Sequence, residues 1–68
     1  MCGIIGINSS KPVSSTIVNS LKKLEYRGYD SAGIATLSNG LINEVKSEGR
    51  VDNLEKNFLV QNMEGTIG

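Results

Sequence analysis

The sequence has no histidine and no tryptophan, one cysteine and one proline. A lone cysteine cannot form an internal disulfide, and it suits a reducing compartment. Without histidine there is no Cys/His cluster to hold a structural zinc. No metal or cofactor is expected, and any acid–base chemistry has to come from other groups. Basic and acidic side chains balance at seven each. Zero net charge argues against nucleic acid or an anionic membrane as the main partner, since both are held by a basic surface. No apolar run approaches the roughly 20 residues that span a bilayer. The N-terminus lacks the basic start and long apolar stretch of a signal peptide. A cytoplasmic chain is expected. Internal repeats, low-complexity tracts and linkers are also missing. At 68 residues the chain is at most one small domain, and such a domain buries only about 60% of the surface its unfolded chain exposes. Small domains lean on disulfides, metals or very regular packing. With the first two excluded, the chain is expected to fold marginally or to be a piece of something larger.

What is present reads as alternating elements. Gly3-Ile4-Ile5-Gly6-Ile7 is short, apolar and rich in β-branched residues, which predicts a buried strand. Asn8 to Pro12 supplies turn residues and a helix-start signal. Val13, Ile17, Val18, Leu21 and Leu24 then recur at helical spacing, with Ser14, Asn19, Lys22 and Lys23 on the other face. Lys22 and Lys23 suit the negative end of the helix dipole, and Gly28 can end the helix in a left-handed cap. Asn39-Gly40 is the pair favoured by a type I′ turn, so Ser31–Ser38 and Leu41–Lys46 are predicted as the arms of a hairpin. A second helix is predicted from Asp52, with Val51, Leu54 and Phe58 on one face and Glu48 and Asp52 at its acidic start. Gln61 to Gly65 reads as a loop, and Thr66-Ile67-Gly68 as the opening of another strand. A strand cut there leaves a sheet edge unpaired, which suggests truncation. The chain alone is then expected to be weakly folded or to associate through that edge, with Ile4, Ile5, Ile7, Ile34 and Leu37 lacking partners.

Cys2 directly follows the initiator methionine. Methionine aminopeptidase acts when the second side chain is small, and removing Met1 would place a thiol and a free α-amine on one Cα. The amine has an unperturbed pKa of roughly 7.7–8.0 and the thiol about 8.5, so only about 3% is thiolate at pH 7. An amine that close to neutrality can accept the thiol proton and later return one to a leaving group. Nucleophile and base then come from one residue, and no histidine is needed. Taken alone, Met-Cys is more commonly a small buried hydrophobe. Gly3 leaves the surroundings uncrowded but does not decide between the two.

A second stretch, EYRGYDSAG at 25–33, reads locally as a helix exit, a turn and a strand. Arg27 could be a solvated cation near a helix C-terminus, Asp30 and Ser31 turn formers, and Tyr26 and Tyr29 packing residues.

In combination, MCGIIGI at the N-terminus and LEYRGYDSAGIA about 20 residues later resemble the glutamine amidotransferases with an N-terminal cysteine nucleophile. Within them the chain is most similar to the isomerising glutamine–fructose-6-phosphate aminotransferases. Tyr26, Tyr29 and Ser31 discriminate, since amidophosphoribosyltransferases typically read H-R-G-Q-D and asparagine synthetases H-R-G-P-D at Tyr26 to Asp30. The resemblance runs across all 68 residues, including Glu48-Gly49-Arg50-Val51 and the final Gly65-Thr66-Ile67-Gly68. It implies an α+β N-terminal nucleophile hydrolase fold, an αββα sandwich of two antiparallel sheets between helices, of which residues 1–68 are the opening part of a glutaminase domain.

The resemblance implies Cys2 as nucleophile, with Arg27 and Gly28 positioning the nucleophile and terminal amine. Its substrates would be L-glutamine and, in a full-length homo-oligomeric enzyme with a separate sugar isomerase domain, fructose 6-phosphate. The family continues into a segment close to H-T-R-W-A-T-H-G, then an Asn-Gly pair for the oxyanion hole and an Asp for the substrate amine. None of these, nor the sugar domain, is in the 68 residues. The isolated chain is therefore expected to be almost inactive, since one lost oxyanion-hole donor already costs about 10²–10³ in rate. Two alternatives remain at this point: another amidotransferase such as amidophosphoribosyltransferase, or a non-catalytic α/β module with an inert Cys2.

Overall fold

In the computed structural model the residues described are 3–25 and 31–68. They form an α+β unit of three helices and one two-stranded antiparallel sheet: α1 Ser14–Leu24, β1 Ser31–Ser38, β2 Leu41–Glu48, α2 Val51–Glu55 and α3 Phe58–Gln61.

Helix α1 forms because its apolar positions make one stripe. Ile17, Val18 and Leu21 are buried, at the spacing that puts side chains on one face. Ser14, predicted on the solvent face, lies three residues before Ile17 and is buried with them. Lys22 and Lys23 occupy the last turn as expected. The helix ends at Leu24, with Glu25 already extended (φ −72°, ψ 117°). Its end therefore comes four residues before Gly28, which lies outside the described residues and is not the cap. Leu24 continues the stripe in sequence but is 46% exposed. The chain has turned away by Glu25, so no described element covers it.

The hairpin follows its turn. Asn39 (φ 54°) and Gly40 (φ 76°) both take positive φ, as a type I′ turn requires. Register runs from Ser38 opposite Leu41 to Ser31 opposite Glu48. The second arm is thus two residues longer than predicted, and Glu48 belongs to the ladder rather than to a helix start.

The predicted second helix breaks in two. Asn57 Oδ1 accepts a 2.9 Å hydrogen bond from the Leu59 amide, the local capping bond with which asparagine competes against a continuing helix. Val51 and Leu54 face the core as expected; the Phe58 side chain lies outside the described residues. Gln61, predicted as loop, closes α3.

The core gathers Val13, Ile17, Val18 and Leu21 with Ile34 and Val45 of the hairpin and Val51, Leu54 and Val60. Ile34 is thus 5% exposed and not left without partners. Fully burying a side chain of the Leu or Val type contributes about 1.5–3 kcal/mol.

Thr66-Ile67-Gly68 lies beside β1 but makes isolated bridges rather than the predicted strand. Ile67 bridges Leu37 on one side and Asn8 on the other, and Ile7 and Gly68 exchange two backbone hydrogen bonds of 2.8 and 2.9 Å. The predicted strand at Gly3–Ile7 is not one. Only its end at Ile7 and Asn8 pairs, and Ile4 is 92% exposed. Ile5 and Ile7 pack against the core while Ile4 is left exposed.

Candidate functional site

Cys2, Arg27 and Gly28, the three residues expected to carry or position the chemistry, lie outside the described residues, as do Tyr26, Tyr29 and Asp30. The structure defines the elements on which they are mounted. Gly3, which follows Cys2, lines a hollow of about 230 Å³ whose other walls include Ile17 and Leu21 of α1, Gly33 of β1 and Gly68. The N-terminal segment and the middle of β1, Gly33 to Ala35, therefore share one concavity. Its described walls carry no ionisable side chain. Its volume is below the ~300 Å³ at which small-molecule pockets begin. These walls can supply shape and backbone polar groups, but no acid or base.

Gly68 closes that hollow from below. A Cβ there would lie 2.5 Å from Ile17 Cδ1 and 3.1 Å from the Ala35 carbonyl, so a side chain at this position would have to displace the end of Ile17.

The two ends of the 26–30 segment are better defined. Glu25, just before Tyr26, has a side chain only 5% exposed. One carboxylate oxygen accepts from the Val51 amide at 3.0 Å, and the other is 3.2 Å from Arg50 Nη2. A buried carboxylate is costly unless partnered in this way. Ser31, just after Asp30, starts β1 opposite Glu48. One helical turn earlier on α1, Lys22 Nζ lies 2.7 Å from Glu55 Oε1 and 3.5 Å from Asp52 Oδ1. The hydrogen bond to Glu55, with the charge of both carboxylates, raises the Lys22 pKa above its ordinary value against the opposing effect of partial burial. Lys22 of α1 thus meets opposite charges on α2, and Glu25, just beyond α1, meets Arg50, just before α2. Lys22 was expected on a free solvent face; the partners that change this are 30 or more residues away in sequence.

Among the described residues no three of His, Cys, Asp and Glu come together as a metal site. Among them, too, no helix is long and apolar enough to cross a membrane.

Across all 68 residues the chain is 48% identical to a glutamine–fructose-6-phosphate aminotransferase (isomerising) of Agrobacterium fabrum. It is 53% identical to the protein of that name from Brucella suis and 50% to that from Bradyrhizobium diazoefficiens. The chain is homologous to these aminotransferases. It spans 11% of the length of each. No family model matches it, and no solved structure does. The homology accords with the resemblance drawn from the two motifs and does not favour the amidophosphoribosyltransferase and inert-module alternatives. Sequence reading missed Glu25 and Arg50 as a pair. The only available signal was the presence of the charged Glu48-Gly49-Arg50-Val51 stretch within the resemblance.

Proposed function

We propose that these residues are the nucleophile-bearing opening of a glutaminase domain, within an aminotransferase that transfers the nitrogen of L-glutamine to fructose 6-phosphate. The observation that carries this reading is the identity of about half of all positions, over the whole chain, with aminotransferases named for those two substrates. Cys2 stands where Met1 removal would expose it as the first residue.

In the proposed reaction the α-amine of Cys2 takes the thiol proton and the thiolate attacks the side-chain amide carbon of glutamine. The C–N bond breaks, the amine returns the proton to the departing nitrogen, and ammonia leaves a γ-glutamyl thioester. Water then attacks the thioester, releasing glutamate and restoring the thiol. The overall balance is glutamine plus water to glutamate plus ammonia. Arg27 and Gly28 position the nucleophile and its amine. The reaction draws on no metal or cofactor. Ammonia passes to a sugar isomerase domain of the longer, homo-oligomeric enzyme, in the cytoplasm, where a lone cysteine stays reduced.

The proposed fold is the αββα sandwich of N-terminal nucleophile hydrolases. Supporting this, Leu37 and Ile42 are opposite each other on the sheet face away from α1. Ile67 bridges Leu37, and all three are exposed, as a face meant to meet a second sheet would be.

The test is glutamine hydrolysis by the complete gene product, with acceptor choice read from the aminated product. Ammonia release with amination of fructose 6-phosphate supports the reading. Amination of phosphoribosyl pyrophosphate alone would replace it.

A further inference from the structure

We propose that the outer edge of β2 pairs with the same edge of a second copy of this chain, antiparallel about a two-fold axis at Val45. The proposal does not draw on the glutaminase reading, and its test measures no activity.

Strand β1 has β2 on one side and Ile67 on the other. Among the described residues nothing pairs with the far side of β2. The turn fixes which backbone groups face that side. Ser38 and Leu41 close the two-residue turn, and the closing pair of such a hairpin is hydrogen-bonded. Bonded and non-bonded pairs then alternate along the ladder. Leu41, Asn43, Val45 and Ser47 therefore bond inward to β1, and Ile42, Glu44, Lys46 and Glu48 present their N–H and C=O groups outward. The Glu48 carbonyl accordingly accepts from Asn53 Nδ2, at 3.1 Å, and not from β1. Among the described residues, Ile42, Glu44 and Lys46 keep open donors and acceptors, and an edge of that kind takes up another extended strand.

Charge selects the partner and the register. The Glu44 and Lys46 side chains are exposed and meet at 3.6 Å on one face of the strand. They are two residues apart, so an antiparallel copy centred on Val45 sets each Glu44 opposite the second copy's Lys46. The four side chains then form a ring of alternating sign. Each Glu44–Lys46 pair across the axis also exchanges two backbone hydrogen bonds. Opposite charges facing each other across strands are favourable, and like charges are not. A two-fold on Glu44 would set the two Glu44 side chains against each other. One on Lys46 would do the same to the lysines and would set Glu44 against Glu48. One on Asn43 would put Glu44 opposite Ile42, and one on Ser47 would overlap the strands over 46–48 alone. Charged side chains ordinarily guard an edge against pairing; this order guards against the neighbouring registers and leaves one open. At the axis the two Val45 residues form a non-hydrogen-bonded pair, with Cα atoms about 4.5 Å apart. Val45 belongs to the core, so the two cores meet there through an apolar contact. The same residues serve on both copies, and the contact closes as a dimer.

The experiment is disulfide trapping in the complete gene product, with linkages assigned by peptide mass spectrometry so that Cys2 is told apart. Circular dichroism establishes that each variant is folded. Val45→Cys should link the two introduced thiols, since a non-hydrogen-bonded antiparallel pair has the Cα spacing a disulfide needs. Glu44→Lys or Lys46→Glu, added to Val45→Cys, should each slow the trapping about tenfold. Both reversals together should restore it, because the ring is rebuilt with its signs exchanged. Asn43→Cys with Ser47→Cys is a second opposed pair in this register and spares the core; it too should link between copies. Ser38→Cys, on β1, should not. No link in either β2 design would overturn the pairing. Trapping indifferent to the single reversals, or not restored by the double one, would overturn it as well. So would a link from position 45 to another part of the same polypeptide, or linking of Ser38→Cys as fast as that of Val45→Cys.

Discussion

Thr36 Oγ1 donates a 2.8 Å hydrogen bond to the carbonyl of Glu64 across 28 residues of sequence. Thr36 is 1% exposed, so this bond both satisfies a buried hydroxyl and ties the loop before Gly65 to β1. Immediately beyond that loop, Ile67 reaches its place between Leu37 and Asn8. Thr36→Val keeps the shape and removes the donor. A buried group left without its partner costs about 1–3 kcal/mol. Urea denaturation should show a loss in that range with an unchanged m-value.

Two leucines five residues apart should behave oppositely. Leu54 is fully buried and Leu59 is 62% exposed. Leu54→Ala should cost about 2–5 kcal/mol, enough to unfold much of a domain this small. Leu59→Ala should stay within about 0.5 kcal/mol of the parent. Thermal unfolding of the pair side by side checks both.

Gly40 and Gly65 both have positive φ, but only one is crowded. A Cβ on Gly40 meets nothing within 4 Å, whereas one on Gly65 would lie 2.8 Å from the Leu37 carbonyl and 2.9 Å from Thr36 Cβ. Gly40→Ala should cost about 1–2 kcal/mol, from the left-handed backbone alone. Gly65→Ala adds a backbone clash and should cost more, with loss of amide protection at Leu37, whose N–H bonds the Ile67 carbonyl. Comparable losses in the two variants would contradict the placement of Gly65 against β1.

The Lys22 pairing gives stability a pH dependence of definite sign. Its pKa is raised in the folded state by Glu55 and Asp52, so the folded protein holds this proton more tightly than the unfolded chain. The contribution is fully present below the unfolded lysine value, about 10.4, and is lost as pH rises through the raised folded value. The stability gap between wild type and Lys22→Met should therefore be constant from neutral pH to about 9 and close above about 10.4. Denaturant midpoints across that range measure it.

Much of the fold was legible because its signals are local. Asn39-Gly40 specifies its own turn, and the turn fixes the hairpin register. The α1 stripe is periodic enough to be read without partners. The misreadings have non-local causes. Ser14 is buried because of what packs on α1, and Leu24 is exposed because the chain leaves the helix one residue later. Ile4 looks like any residue of a buried strand, but only its neighbours Ile5 and Ile7 pack against the core. The break at Asn57 was locally encoded and overlooked, as asparagine caps as readily as it continues a helix. Glu25 and Arg50 are 25 positions apart, and no periodicity links them. For the site, the two motifs pointed to the aminotransferases to which the chain proves homologous, while the pairing of Glu25 with Arg50 and the Val51 amide had to come from the folded chain.

The central claim is that Cys2 is a nucleophile unmasked by loss of Met1. Intact-mass and peptide mass spectrometry of the complete gene product, before and after treatment with a diazoketone analogue of glutamine, tests it most directly. The predicted result is a chain lacking Met1 with a single adduct on Cys2, formed more slowly when excess glutamine is present. A chain that retains Met1, or one that loses it and leaves Cys2 unlabelled, would contradict the account.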